Sequence, residues 1–139
     1  MKTQTKFPAL KELFSTLHSV RGCLWDKKQT HKSLLPYLKE EVNEFIEAVR
    51  KNDLHHMKEE LGDILLQVMF HSQIASKRGA FDVEDVITEL IRKLKRRHPH
   101  VFGTIKVKSA KEIIINWHRI KAQERKQEDK SKRKVRADI

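Results

Sequence analysis

The sequence predicts an all-α protein, and three observations support this prediction. Only 4 Gly and 3 Pro occur in 139 residues, whereas Lys, Glu, Leu and Ile are abundant, a composition that favours helices. Apolar residues recur in several segments at the spacing of one helix face. A chain of 139 residues with 38% hydrophobic content is long enough for one domain with a buried core. We therefore expect a helical bundle of four to five helices.

The first two predicted helices lie in the N-terminal part of the sequence. The first covers about residues 8–22, starts at a proline and ends at Gly22. A loop at 23–33 separates it from the second helix, which covers about 34–51. The dipeptide Asn52-Asp53 ends the second helix and supplies the N-cap of the next one.

Three further helices are predicted after this point. The third covers about residues 54–77. The fourth covers about 83–97, with Asp82 as its N-cap. It is closed by Pro99, because proline disfavours helix in the residue before it. A shorter fifth helix at about 109–122 continues the helical spacing of apolar residues.

The positive charge is distributed unevenly along the chain. The formal net charge is +11, and residues 121–139 contain 8 Lys or Arg against 4 acids, with few large apolar residues. This pattern predicts a helical domain at 1–122 and a basic, disordered tail at 123–139. The tail favours solubility, and binding to nucleic acid is expected only weakly through it.

Two features predict a cytoplasmic protein without membrane association. No apolar run approaches the roughly 18 residues of a membrane span, and the N-terminal sequence lacks the pattern of a signal peptide. Cys23 is the single cysteine, so no internal disulfide can form.

Five carboxylates occupy two short groups on the second and third predicted helices: Glu40, Glu41, Glu44, Glu60 and Asp63. On the second helix, Glu40 and Glu44 lie opposite the apolar face and Glu41 lies at its border. The third helix is apolar on most sides, which indicates a buried helix, and Glu60 and Asp63 lie on its narrow polar strip. Ionised carboxylates in such a position need cations, because an unpaired buried charge costs several kcal/mol.

Salt bridges and a bound metal are the two possible sources of those cations. Salt bridges are the ordinary explanation for a Glu-rich helix, but the polar strip of the third helix has few basic neighbours. If the two helices are antiparallel, the oxygens of four residues can converge on one point: Glu41, Glu44, Glu60 and Asp63. All-oxygen ligands suit Mg²⁺, with Mn²⁺ as a substitute. A di-iron bundle would need Glu-x-x-His on two helices, and the sequence contains no such motif.

The spacing of these acids resembles a known family signature. Glu40-Glu41-x-x-Glu44, a gap of 15 residues and Glu60-x-x-Asp63 are similar to the EExxE…ExxD signature of the MazG nucleoside triphosphate pyrophosphohydrolases. Further blocks resemble that family in the same order: CLWDKKQTH, EELGDILLQV and KLKRRHPHVFG. Leu24 departs from the family, which commonly has proline there. The resemblance extends over roughly residues 10–122.

The resemblance implies an enzyme that hydrolyses nucleoside triphosphates between the α and β phosphates and releases a nucleoside monophosphate and pyrophosphate. It implies Mg²⁺ bound by four carboxylates, Glu41, Glu44, Glu60 and Asp63, in a MazG-like homodimer or higher homo-oligomer. Glu40 and Glu41 are the implied catalytic residues, with Glu40 as a further metal contact or as the base that orients water. The nucleoside triphosphate is the implied substrate.

Basic and aromatic residues complete the site that the resemblance implies. Lys93 and Arg97 would bind the phosphates, although a solvated basic helix end is the simpler explanation of the same residues. Trp117 would contact the nucleotide, and Trp25 would lie at the edge of the pocket, although tryptophan is more often a core residue. The alternative function is a non-catalytic, basic helical adaptor that binds nucleic acid or an acidic partner.

Overall fold

The structure, a computed structural model, describes the backbone of residues 5–137 and the side chains of residues 5–133. Within this range the chain forms seven α-helices and no strand, which confirms the predicted all-α class. The helices are α1 Phe7–Leu17, α2 Leu24–Lys28, α3 His31–Arg50, α4 Leu54–Lys77, α5 Val83–Arg97, α6 Pro99–Phe102 and α7 Ala110–Ala137. The two helices beyond the predicted four to five, α2 and α6, are short. The chain divides between Val86 and Ile87, inside α5, into an N-terminal and a C-terminal unit.

The first helix is shorter than the sequence predicts. It ends at Leu17 and not at Gly22, because the chain turns back so that the Cys23 amide donates to the Leu17 carbonyl oxygen over 2.8 Å. A Cβ atom at position 22 would lie 1.9 Å from that same oxygen. Gly22 is therefore required for this close approach and is not a helix terminator.

The second predicted helix begins three residues earlier than expected, at His31 in α3. Thr30 and Ser33 form a reciprocal cap in which each side-chain oxygen accepts from the other residue's amide, over 3.0 and 2.8 Å. Such a cap satisfies amides that have no partner inside the helix. The predicted loop at 23–33 also differs from the structure, because α2 occupies its centre.

The antiparallel pair α3 and α4 is the main packing element of the N-terminal unit. Asn52 adopts a left-handed conformation with φ of 54° between the two helices. Asp53 then accepts from the His56 amide over 3.2 Å and caps α4, as the sequence predicts. The tight turn aligns the two helices side by side, so that residues far apart in sequence meet along one seam.

The seam between α3 and α4 contains the least exposed residues of α3, which recur at helical spacing: Leu34, Leu38, Glu41, Phe45 and Ala48. The corresponding row of partly or fully buried residues on α4 consists of Met57, Glu60, Ile64, Gln67, His71 and Ile74. At one end of the seam, the Nδ1 atoms of His31 and His71 are 2.8 Å apart and share a hydrogen bond. The α3–α4 pair therefore places Glu41 and Glu60 inside a packed interface.

A small aromatic core joins α1 to the other side of α4. Phe14 is 2% exposed, and its ring meets that of Phe70 edge to face with centroids 5.4 Å apart. His18 contacts the same Phe70 ring at 5.7 Å. Helix α3 covers one side of α4 and α1 covers another. These two contacts within the N-terminal unit bury most of the buried residues of α4.

The predicted tail at 123–139 is helical as far as the structure describes it, and residues 138 and 139 lie outside the described residues. Helix α7 continues without interruption to Ala137, whereas the sequence predicts its end near residue 122. The segment contains neither Gly nor Pro and is rich in Lys, Arg, Glu and Gln, which favour helices. It is also held within the C-terminal unit, because Glu124 forms ion pairs with Arg96 and Arg97. Whether 123–139 act as a separate functional segment stays a prediction.

The prediction of no membrane association can be compared with the lengths and hydropathy of the helices. Across the part of the chain that the structure describes, no helix is long and apolar enough to cross a bilayer.

Candidate metal centre and arginine cluster

Three carboxylates meet in the α3–α4 seam and form what we call the acidic cluster: Glu41, Glu60 and Asp63. One oxygen from each residue lies within 4.8 Å of the others. Glu41 comes from α3, whereas Glu60 and Asp63 lie three residues apart on one face of α4. All three side chains are partly buried. The helix pairing thus brings together three of the four predicted metal ligands.

The acidic cluster disfavours ionisation of Glu41 in the absence of a cation. The pKa of Glu41 is raised to about 7, with burial as the largest cause and a hydrogen bond with Glu60 as the second. The negative charges of Asp63, Glu44 and Glu60 add to the same shift. Carboxylates that share a site in this way hold a proton because like charges close together repel.

Two buried oxygen atoms in the acidic cluster have no hydrogen-bond partner in the part of the chain that the structure describes: Oε2 of Glu41 and Oε2 of Glu60. None of the three acids forms an ion pair with Lys, Arg or His among residues 5–133. Salt bridges therefore do not compensate their charge. Unpartnered carboxylate oxygens that converge from two helices fit a hard divalent cation such as Mg²⁺ or Mn²⁺.

The other two predicted site acids, Glu44 and Glu40, lie outside the acidic cluster. Glu44 is exposed, but it is close enough to raise the pKa of Glu41, and with Glu60 it lines a groove of about 210 Å³. Glu40 is also exposed and lies on a different groove of α3, beside Lys39 and Glu44. The structure therefore puts Glu44 at the rim of the cluster and Glu40 on the outer surface of α3.

The C-terminal unit contains a second constellation, the arginine cluster, defined as Arg96, Arg97, Trp117 and Glu124. Glu124 accepts from Arg96 Nε over 2.5 Å and from Arg97 Nη2 over 2.9 Å. The guanidinium carbon of Arg97 lies 5.2 Å from the centre of the Trp117 ring, in the range of a cation–π contact. The two arginines lower the pKa of Glu124 to about 2, with the Arg97 hydrogen bond as the largest cause. Glu124 is therefore ionised at neutral pH.

Glu124 and Arg96 were not predicted from the sequence as parts of a site. A signal was present, since Trp117 and Glu124 are seven residues apart and lie on one face of α7. The partner arginines are on another helix, 27 and 28 residues earlier, so spacing alone cannot identify the contact.

Lys93, one turn before Arg97, is partly buried and forms no hydrogen bond or ion pair within residues 5–133.

Trp25 belongs to the N-terminal unit and is 47% exposed. Its ring meets Tyr37 and Phe70 edge to face, with centroids 5.7 and 6.3 Å apart. One side of the ring therefore packs on the protein, and the rest faces solvent.

A family profile described as the MazG nucleotide pyrophosphohydrolase domain matches residues 29–102, which is more than half of the chain. The chain belongs to the MazG family. The MazG match contains the whole acidic cluster, Lys93 and both arginines, whereas Trp25, Trp117 and Glu124 lie outside it.

Named relatives agree with this membership. The chain is 56% identical over 119 residues to the nucleoside triphosphate pyrophosphohydrolase/pyrophosphatase MazG of Thermotoga maritima, covering 86% of this chain and 45% of that protein. It is 42% identical over 106 residues to the nucleoside triphosphate pyrophosphohydrolase of Escherichia coli K12, covering 76% of this chain and 40% of that protein. The chain thus spans less than half the length of these MazG relatives.

A solved structure supports the same assignment. The crystal structure of a MazG-related protein from Thermotoga maritima superposes with a TM-score of 0.65 at 32% sequence identity. The match covers 81% of this chain and 98% of the solved one. The helical fold described above is therefore a MazG fold.

The raised pKa of Glu41 predicts pH-dependent metal binding by this MazG domain. Metal ligands bind in the deprotonated form, so a proton on Glu41 must leave before Mg²⁺ binds. With a pKa of about 7 for Glu41, we expect the apparent Mg²⁺ affinity to fall about tenfold per pH unit below neutrality and to level off above it. Calorimetric titration of Mg²⁺ between about pH 5 and pH 8 measures this dependence.

As pH rises, the stability of the metal-free protein is expected to fall, whereas its Mg²⁺ affinity is expected to rise. The folded-state pKa of Glu41 lies above its ordinary value of 4.5, so between 4.5 and about 7 the folded chain binds more protons than the unfolded one. The free energy of unfolding therefore falls as pH rises through this window. A Mg²⁺ affinity that is equal at both ends of the window would contradict the assignment of Glu41.

Proposed function

We propose that this MazG domain hydrolyses nucleoside triphosphates between the α and β phosphates and releases a nucleoside monophosphate and pyrophosphate in a Mg²⁺-dependent reaction. The observation that supports this most strongly is the acidic cluster, where carboxylate oxygens from two helices converge without a basic partner among the described side chains. An adaptor has no use for such a cluster, because clustered carboxylates destabilise the fold unless a cation is bound.

The proposed ligands of Mg²⁺ are Glu41, Glu60 and Asp63, with Glu44 as a fourth ligand from the rim of the cluster. Bound Mg²⁺ supplies charge neutralisation at the phosphates and lowers the pKa of a coordinated water. Glu44 lies one turn after Glu41 on the same helix, so a side-chain rotation directs its carboxylate toward the cluster. Glu41 is the proposed catalytic carboxylate within the cluster. Glu40 is proposed as a further metal contact or as the base that orients water, and either role requires its side chain to turn from the outer surface of α3 toward the cluster.

Lys93 and Arg97 are the proposed phosphate ligands in the same reaction. A triphosphate carries about four negative charges, so it requires cationic side chains in addition to the metal. Lys93 has no ion pair among the described residues, and the guanidinium of Arg97 suits phosphate geometry.

Trp117 is proposed to stack on the base of the substrate. Stacking of this kind accepts different bases, because each base has a π face. Trp25 is proposed as a further substrate contact, since the residue is 47% exposed.

A homodimer is the proposed assembly. Helices α3 and α4 each expose four large aliphatic residues with the same spacing, which we call the apolar stripes: Leu35, Val42, Ile46 and Val49 on α3, and Leu54, Leu61, Leu65 and Val68 on α4. Their exposed fractions range from 39% to 72%. Contiguous apolar surface of this kind marks an interaction site, and a second copy of the chain offers two matching stripes.

Incubation with a mixture of nucleoside triphosphates and Mg²⁺ tests the proposed reaction. Equal amounts of pyrophosphate and nucleoside monophosphate are expected, measured by anion-exchange chromatography. Chelation of Mg²⁺ should stop their formation, and added Mn²⁺ should restore it in part. Release of nucleoside diphosphate and phosphate would contradict the proposed bond cleavage. Absence of any product would favour the adaptor function instead.

A further inference from the structure

Glu124 occupies an unusual position in the C-terminal unit. Its carboxylate is divided between two arginines, with Oε1 on Arg96 Nε and Oε2 on Arg97 Nη2. The Glu124 and Arg97 side chains are 18% and 13% exposed. A single ion pair with one arginine commonly uses both carboxylate oxygens on one guanidinium. Here each arginine receives one oxygen only, so neither guanidinium is saturated.

The unsatisfied donors of Arg97 are the feature that requires an explanation. Its Nε atom is buried and has no hydrogen-bond partner among residues 5–133, and only Nη2 forms a hydrogen bond in that range. A buried polar group is normally paired. Nε itself is closed to a ligand, but the side chain is 13% exposed, so the Nη donors that Glu124 leaves free are available to another acceptor. The cluster of two arginines and one glutamate also keeps a net charge of +1, which favours an anion.

Trp117 and Glu124 together restrict the Arg97 side chain. The Trp117 ring lies against the guanidinium at 5.2 Å, and Glu124 holds one nitrogen. Both residues are on α7, two turns apart, so the continuous helix fixes them relative to each other. An arginine has high rotamer entropy when it is free. Contacts that restrict it before an anion binds reduce the entropy that binding must overcome.

We propose that Glu124 is a positioning residue for substrate binding, which holds Arg97 by one nitrogen and against Trp117 so that its remaining N–H groups meet the phosphates of the nucleoside triphosphate. This inference rests on the proposed function. Glu124 does not contact the substrate, and its effect passes through Arg97. The helical continuation of α7 past residue 122 therefore has a role in phosphate recognition.

The opposite role for the same contact is competition, in which Glu124 blocks Arg97 and phosphate must displace it. The two roles predict opposite changes in substrate affinity when the carboxylate is removed. Positioning predicts weaker binding of the triphosphate, whereas competition predicts tighter binding. Steady-state kinetics separate them directly.

The experiment compares Glu124→Ala and Glu124→Gln with the wild type in kinetics at saturating Mg²⁺. The KM for the triphosphate is expected to rise about 10- to 100-fold for Glu124→Ala, with a smaller loss of kcat, because a misplaced binding group costs on that order. The KM of Glu124→Gln should lie between those of the wild type and Glu124→Ala, since the glutamine amide keeps one oxygen acceptor. Glu128→Ala is the matched control, because Glu128 is one turn later on α7, exposed, and without an ion pair among the described side chains.

A double-mutant cycle shows whether the effect passes through Arg97. In an Arg97→Ala background, Glu124→Ala should cause no further loss of affinity. Additive losses, an unchanged KM or a lower KM would each overturn the proposal. Circular dichroism confirms that the variants are folded, and if Glu124→Ala is not folded, Glu124→Gln decides by the same criteria.

Binding of a non-hydrolysable triphosphate analogue separates this inference from the proposed function. If the wild type binds the analogue but does not hydrolyse substrate, the proposed reaction fails, and the Glu124 variants still test positioning through the Kd. If the wild type hydrolyses substrate and the Glu124 variants match it in KM, positioning alone fails.

Discussion

Replacement of Asp63 by asparagine is expected to abolish hydrolysis and to leave the metal-free protein at least as stable as the wild type. The negative charge of Asp63 is one of the causes that raise the pKa of Glu41. Its removal therefore relieves repulsion in the acidic cluster and stabilises the metal-free fold. If Asp63 is a Mg²⁺ ligand as proposed, its loss should lower turnover by about a thousandfold or more, since the metal supplies several kcal/mol.

A salt-bridge role for Asp63 predicts the opposite sign for stability. If Asp63 neutralised a basic side chain, Asp63→Asn would leave a cation without its partner and would cost roughly 3 kcal/mol or more. Thermal melts of both proteins, each with and without Mg²⁺, distinguish the two cases. Mg²⁺ should raise the wild-type midpoint and have little effect on the variant.

The matched control for this experiment is Glu59→Gln. Glu59 is on the same helix, exposed, and paired only with His55 among the described residues. Its removal should change neither turnover nor the Mg²⁺ effect on the midpoint. If Mg²⁺ stabilises neither protein, even with a triphosphate analogue present, and Asp63→Asn is simply less stable, the metal assignment of the acidic cluster is wrong.

Charges in the apolar stripes are expected to convert a dimer into a monomer. The wild type should have a mass of about twice 16.5 kDa in light scattering at micromolar concentration. The double variant Ile46→Lys and Leu65→Lys should give the mass of one chain. Two ammonium groups in an apolar interface cost several kcal/mol, which weakens association by at least about a thousandfold.

Val20→Lys is the control for this prediction. Val20 is 97% exposed and belongs to neither stripe, so a charge there should not change the mass. Ile46 and Leu65 are 40% and 43% exposed within the chain, so lysine at either position can reach solvent in a folded monomer. A wild-type protein that is monomeric and active would refute the dimer.

Helix starts were predictable where an acidic cap residue marks them. The starts of α4 and α5 agree with the sequence prediction because Asp53 and Asp82 accept amide hydrogen bonds there. The start of α3 was missed although Thr30 and Ser33 form a reciprocal cap, as Asp82 and Asp85 do at α5. The end of α1 was missed because Gly22 serves a close approach to Leu17, which depends on how the chain turns back.

The sequence by itself determined the helical class and the acids that belong on the α3–α4 pair, because both follow from local spacing along single helices. Only the tertiary structure decided which acids meet. Glu41, Glu60 and Asp63 converge because the Asn52 turn aligns α3 with α4, whereas Glu40 and Glu44 stay exposed. The tertiary structure also decided that Arg97 forms an ion pair with Glu124. The physical reason is that charge compensation depends on distance in space, and two residues 27 positions apart have no spacing rule that predicts their contact.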